Sequence, residues 1–155
     1  EHGVDLLLFE AGEGLRFDEA AVRAGLRGIL RVLAHLGMIG SRGLAMPRRP
    51  AVHASSSQWV RAPAGGLLRT FRTTGQTVTK ESQLGAIADP FGRVEVPVFA
   101  PTAGLIIGRT NLPLVNEGDA LFHIARMSTD QVRQISGNLA EEPPADEFFD
   151  EDEII

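Results

Sequence analysis

A short stretch that occurs twice constrains this chain more than anything else in it. Ala62-Pro63-Ala64-Gly65-Gly66-Leu67-Leu68 is echoed by Ala100-Pro101-Thr102-Ala103-Gly104-Leu105-Ile106, and Val78, Leu84 and Ile87 are echoed by Val115, Leu121 and Ile124. Similarity of this kind signals two copies of one supersecondary unit that bury a shared core against each other. From Val52 to about Ala125 the chain is built of short β-type runs separated by glycine and proline turns, without helical periodicity. Each copy is expected to be a pair of strands around a tight turn. Two copies then close into a small sandwich with quasi-two-fold symmetry.

Ahead of this segment the period differs. Val4-Asp5-Leu6-Leu7-Leu8-Phe9 is an apolar run ending at Glu10-Ala11-Gly12-Glu13-Gly14, which reads as a strand covered on both faces, as in a parallel sheet. A lone strand cannot satisfy its own backbone groups, so this reading requires partners. Asp18 is placed to cap a helix, with Glu19 in the first turn where the dipole favours an acid. Val22, Leu26, Ile29, Leu30, Leu33 and Leu36 form one face, Arg23, Arg27 and Arg31 the other, and Gly37 suits the C-terminal cap. Gly25 and Gly28 would allow close packing on a sheet. Strand and helix together make half of an α/β layer. The expected organisation is thus an α/β part over residues 1–40, a linker over 41–51, an all-β domain over 52–127 and an acidic, disordered tail over 128–155.

Composition sets the outer bounds. With 155 residues, 43% hydrophobic and 23% charged, the chain can bury a core and stay soluble. It has no apolar run near the roughly 20 residues that span a bilayer. The net charge of −5 owes much to the acidic tail, so nucleic acid is not an expected partner. The absence of cysteine excludes disulfides and thiolate chemistry and fits a reducing, cytoplasmic setting. The chain opens at Glu1-His2-Gly3 and runs at once into a buried-type segment, which suggests a piece of a longer protein. A truncated sheet with an exposed edge would favour self-association into a homo-oligomer.

Two stretches carry a family likeness. One is Leu7-Leu8-Phe9-Glu10-Ala11-Gly12, an apolar run ending in Glu-x-Gly. The more specific one comprises Trp59-Val60-Arg61-Ala62-Pro63-Ala64-Gly65-Gly66, Asp89-Pro90-Phe91-Gly92, and Gly108-Arg109-Thr110-Asn111-Leu112-Pro113-Leu114-Val115-Asn116-Glu117-Gly118-Asp119-Ala120-Leu121. Over about residues 3–126 the sequence resembles the C-terminal portion of the succinylglutamate desuccinylase/aspartoacylase family. The resemblance implies a zinc-carboxypeptidase-like α/β domain, then a β barrel-sandwich domain similar to lipoyl and biotinyl carriers. It also implies a deacylase that cleaves the amide of an N-acyl amino acid or a related small molecule.

In such enzymes one Zn²⁺ is held by a His-x-x-Glu pair and a distant His, and a glutamate on a later strand activates the metal-bound water. Glu10 matches that glutamate, with Gly12 permitting the turn after it. A zinc-bound water has a pKa near about 7, and a nearby carboxylate can take its proton and later protonate the leaving amine. None of His2, His35, His53 and His123 is followed three residues later by Glu. The zinc ligands are therefore expected outside this chain, which alone should neither bind the catalytic metal nor turn over substrate.

Other candidates are weaker. His35 suits a helix C-terminus, His123 an outward strand position, and His53 has no evident partner; Glu13 lies close to Glu10 but in a loop. A lipoylated or biotinylated carrier needs a lysine at the hairpin joining the two copies, and Ala88-Asp89-Pro90-Phe91-Gly92-Arg93 has none; Lys80 lies inside the first copy. Glu81 stands where the second copy has Gly118, which predicts a different turn geometry there. Arg61, Arg69, Arg72, Arg93 and Arg109 give the β domain a basic side, and Arg61 and Arg109 are the first candidates for meeting an acidic substrate. The competing reading is a non-catalytic β-rich accessory domain that shapes access or assembly.

Overall fold

The two copies of the repeat are woven together, each giving strands to both of two four-stranded antiparallel sheets in the computed structural model. The structure describes residues 3–44 and 51–140, with side-chain surroundings as far as 136. The chain divides into two compact units, one made of the N-terminal residues and one beginning at Ala51.

The β unit carries β1 (Ser57–Arg61), β2 (Gly66–Thr70), β3 (Thr77–Val78) and β4 (Gln83–Ala88) from the first copy. The second copy supplies β5 (Glu95–Phe99), β6 (Gly104–Arg109), β7 (Leu114–Val115) and β8 (Ala120–Arg126). Sheet A runs β1-β8-β6-β3 and sheet B runs β5-β4-β2-β7. Exchanging each strand with its counterpart, β1 with β5 through β4 with β8, converts one order into the other. Each copy is therefore four strands shared between sheets, not the expected strand pair, while the quasi-two-fold arrangement is present. Val60, Leu68, Val78, Leu84, Ile87, Val98, Ile106, Val115, Leu121, Phe122 and Ile124 from both sheets form one buried cluster. Burial of this kind is what holds such a unit together.

The repeated sequence is explained residue by residue. A Cβ on Gly66 would collide with the Ala88 carbonyl and come 2.9 Å from Ile87 Cγ2; one on Gly104 would collide with the Ala125 carbonyl and come 2.8 Å from Ile124 Cγ2. Both glycines permit a close backbone approach at the start of the second strand of each copy. The Ala62 carbonyl accepts from Gly118 N at 2.9 Å, and the Ala100 carbonyl accepts from Glu81 N at 2.8 Å. Glu81 has φ +69 and Gly118 φ +87. The two turns thus share a left-handed residue, contrary to the expected difference. Glu81 adopts this conformation at a steric cost of about 1–2 kcal/mol that glycine would avoid.

A helix, α2 (Thr129–Ala140), follows β8 where the acidic tail was expected to begin. Ser128 and Gln131 form a reciprocal cap: Gln131 N donates to Ser128 Oγ at 3.2 Å and Ser128 N to Gln131 Oε1 at 2.9 Å. Val132 is buried, and Ile135 packs with it against Ala103, Leu105, Ala125 and Met127. Residues 141–155, the rest of that tail, lie outside the described residues, as do residues 45–50 of the expected linker.

In the N-terminal unit, α1 (Glu19–His35) begins and ends as its sequence requires. Asp18 Oδ1 accepts from Ala21 N at 3.0 Å. At the other end Gly37 (φ +70) donates to Ala34 O and Met38 N donates to Leu33 O, satisfying two carbonyls the helix leaves open. The expected strand is not formed: Gly3–Ala11 has no regular structure, and Val4, Leu6, Leu7 and Leu8 are exposed. The reason is the lack of a partner. An isolated extended segment gains no ladder bonds, and among the described residues nothing pairs with it. Phe9 instead lies on α1 at Gly25, where a Cβ would come 3.0 Å from its ring. Gly28 faces open space.

Candidate functional site

Glu10 stands near the end of that irregular stretch, exposed, two residues before Gly12. Gly12 has φ +79, and a Cβ there would meet Asp18 Cβ at 3.3 Å. The glycine therefore turns the chain toward the capped start of α1. Phe9, Ala11, Gly12, Phe17, Val22 and Leu26 help to line an open, mostly apolar hollow; Glu10 does not. Glu13 is engaged with Arg16 at 3.6 Å in a solvent-exposed pair, which contributes little.

The two candidate arginines come to one end of sheet A. Arg61 on β1 lies opposite Ala120 and Arg109 on β6 lies opposite Phe122, so they flank the first residues of β8 from either side. Both are tied into the unit. Arg61 Nη1 donates to the Gly118 carbonyl at 2.8 Å; Arg109 Nη1 donates to Thr70 Oγ1 at 3.2 Å and to its neighbour's carbonyl, Thr110 O, at 3.5 Å. Arg61 clamps the β7–β8 turn, and Arg109 links sheet A to sheet B. Each guanidinium has five N–H donors, so these bonds leave others for a carboxylate.

Two other arginines of the β unit lie over aromatic rings. Arg69 lies over Phe71 at 5.5 Å and Arg93 over Phe91 at 5.2 Å. The hairpin joining the copies is braced by Asp89, whose Oδ1 accepts from Arg93 N at 2.7 Å and Val94 N at 3.3 Å. Lys80 sits away from it, in the β3–β4 turn.

His123 faces outward from β8, stacked on Trp59 with ring centroids 4.3 Å apart and planes 12° from parallel, and its Nε2 contacts Ser57 Oγ at 2.8 Å. Sequence reasoning had no means of finding this trio, because β1 and β8 are the first and last strands of the unit in sequence although they pair in the sheet. His35 and His53 are exposed. A zinc centre needs three or four such ligands converging within bonding distance. Among the described residues no group of three or more His, Asp or Glu is placed to hold a metal.

No protein-family model matches the chain, and no curated protein matches it significantly. Solved structures do. A succinylglutamate desuccinylase/aspartoacylase from Rhodobacter sphaeroides is 24% identical with a TM-score of 0.61, over 73% of this chain and 37% of that one. The ectoine utilization protein EutE (DoeB) from Ruegeria pomeroyi, in its apo form, is 22% identical with a TM-score of 0.62, over 72% and 36%. A succinylglutamate desuccinylase from Silicibacter sp. TM1040 is 19% identical with a TM-score of 0.58, over 73% and 35%. The chain spans about a third of the length of these proteins. Over nearly three-quarters of its own length it has the fold found in structures of the succinylglutamate desuccinylase/aspartoacylase family.

Proposed function

We propose that this chain is the C-terminal portion of a zinc-dependent amidohydrolase that releases the acyl group of an N-acyl amino acid or a similar small molecule. The carrying observation is the fold shared with desuccinylase/aspartoacylase structures over 73% of this chain. The Glu10-Ala11-Gly12 turn, with Gly12 in the left-handed region, supports it. In this reading Glu10 takes a proton from the attacking water and returns it to the leaving amine. In this reading the metal is held by residues outside this chain. The two sheets form a barrel-sandwich related to lipoyl and biotinyl carriers, without the carrier's lysine. The enzyme works in the cytoplasm on a small molecule, free of nucleic acid and membrane, and associates into a homo-oligomer.

The test is an assay of the intact hydrolase, zinc-loaded, against a panel of N-succinyl and N-acetyl amino acids with the corresponding esters as controls. Release of free amino acid from at least one amide supports the proposal. Turnover of none, in protein shown to contain zinc, removes it.

Arg61 and Arg109 meet the carboxylates of the substrate in this reading. Converting both to alanine is expected to raise KM for a dicarboxylic substrate about tenfold or more, since a hydrogen bond to a charged group contributes about 1.5–3 kcal/mol. Because both residues also hold the β unit, a neutral substrate is the control: an equal rise for both substrates, or no rise, ends this assignment. The non-catalytic alternative, an accessory unit shaping access or assembly, draws on the arginines' engagement with Gly118, Thr70 and Thr110. It predicts an intact enzyme whose kcat and KM are indifferent to Glu10, Arg61 and Arg109.

A further inference from the structure

The quasi-two-fold symmetry of the β unit shows which surface residues its architecture requires. On sheet A, Trp59 stands opposite His123 and Ser57 opposite Ala125; at the related places on sheet B, Pro97 stands opposite Ala86 and Glu95 opposite Ala88. Sheet B forms the same strand pair without an imidazole, an indole or a hydroxyl there, so the fold does not require the Ser57–Trp59–His123 group. The ladder explains how the group assembles. Arg126 N donates to Ser56 O at 2.9 Å, which makes that pair a bonded one. Ser57 and Trp59 therefore occupy the non-bonded places, where facing side chains come closest. The indole lies flat on the imidazole, with ring centroids 4.3 Å apart, and Nε2 of the held ring meets Ser57 Oγ at 2.8 Å. Ser57 is exposed. On the other flank of His123, a Cβ on Gly108 would meet only His123 Cβ, at 3.6 Å, so the space beside the ring is open.

We propose that Ser57 is a nucleophile for acyl transfer and His123 its general base, acting on small activated esters such as aryl esters. A serine hydroxyl is a weak nucleophile unless a base within hydrogen-bond reach takes its proton, and that base must itself be held. His123 meets the first condition, and Trp59, a positioning residue, meets the second by stacking. With the ring proton on Nδ1, Nε2 accepts the hydroxyl proton as Oγ bonds to the ester carbonyl carbon. The bond from that carbon to the aryl oxygen then breaks, Nε2 returns the proton to the leaving oxygen, and the acyl group stays on Ser57. Water gives a proton to Nε2 and attacks the acyl-serine; the carboxylic acid leaves and that proton returns to Oγ. β1 is the outermost strand of sheet A. At non-bonded places the N–H groups of Ser57 and Trp59 turn to this open edge, as donors for the carbonyl oxygen when it gains charge. The step involves neither Glu10 nor zinc, so it stands apart from the proposed function.

The test treats the 155-residue chain with p-nitrophenyl acetate, follows release of p-nitrophenol and maps the acetylated residues by mass spectrometry. The expected result is acetylation of Ser57 at least about tenfold faster than of Ser55 and Ser56, adjacent serines that serve as internal controls. His123→Gln, which removes the base, is expected to lower the Ser57 rate at least about tenfold. Trp59→Ala lowers it as well, and Trp59→Phe, which keeps a ring to stack, restores it. The inference is overturned if the three serines are acetylated alike, or if His123→Gln reacts as fast as the parent. It is also overturned if Ser57→Ala releases p-nitrophenol undiminished, because the imidazole then acts alone.

Discussion

Under the proposed function, Glu10→Gln in the intact, zinc-loaded protein is expected to lower kcat by about 10²- to 10⁴-fold, the usual contribution of a positioned general acid–base. Glutamine keeps the size and the accepting oxygen of the side chain but cannot take a proton at neutral pH. Zinc content and KM should therefore change little, which separates a lost proton transfer from a lost fold. The exposed position of Glu10, ahead of the Gly12 turn and outside the α1 packing, makes a structural penalty small. Glu13→Gln is the internal control: its carboxylate engages Arg16 in an exposed pair, and the rate should stay within about twofold. An undiminished rate in Glu10→Gln would remove the general-base assignment and leave the shared fold untouched.

The largest stability effects are expected at Leu84 and Leu121. In the β4–β5 ladder, Gln83 pairs with Phe99 and Gly85 with Val98, so Leu84 is skipped; in the β1–β8 ladder, Val60 pairs with Phe122 and Arg61 with Ala120, so Leu121 is skipped. These are β-bulges at equivalent places in the two copies. A bulge puts consecutive residues on one side, and both leucines are completely buried, each beside another buried residue. Replacing either by alanine is expected to cost about 2–5 kcal/mol, from the lost methyl groups plus the cavity. The two losses should be alike, because the sites are symmetry mates. Urea unfolding of each variant measures this, with Ile107→Ala, at an exposed position, as the reference. A loss below about 1 kcal/mol at either site would show that the bulge leucine is not closed in by the core.

Features written in a local run of residues were legible in the sequence. Asp18, the six apolar positions after it and Gly37 specify α1 without help from the rest of the chain. The repeat announced a quasi-two-fold unit because the residues it conserves, Gly66 and Gly104 among them, answer to the same backbone contacts in both copies. What depended on distant partners was not legible. The run from Val4 to Phe9 has the composition of a buried strand, but composition cannot supply the neighbours that turn it into one. The interleaving of copies was hidden because the bulges at Leu84 and Leu121 interrupt the alternation that marks an inward face. α2 was missed for a different reason: its stripe is short, and the polar run around it resembles a tail. The Ser128-x-x-Gln131 cap was the local signal that could have revealed it. Of the candidate site, the left-handed turn at Gly12 could be read from the Glu-x-Gly motif. The engagement of Arg61 with Gly118 and of Arg109 with Thr70 required the folded sheets.

The pairing of β1 with β8 has a consequence for how such a unit sits in a polypeptide. Ser57 lies opposite Ala125, and Arg126 N reaches the Ser56 carbonyl at 2.9 Å, so entry and exit are zipped side by side. Ser57 and His123, which touch, are 66 positions apart. Contact of this sequence separation forms only after a long loop has closed, which places the rate of folding under topological rather than helical control. Once formed, the seam anchors both flanking stretches at a single point. The whole module can then be inserted, exchanged or circularly permuted with little disturbance to whatever lies on either side.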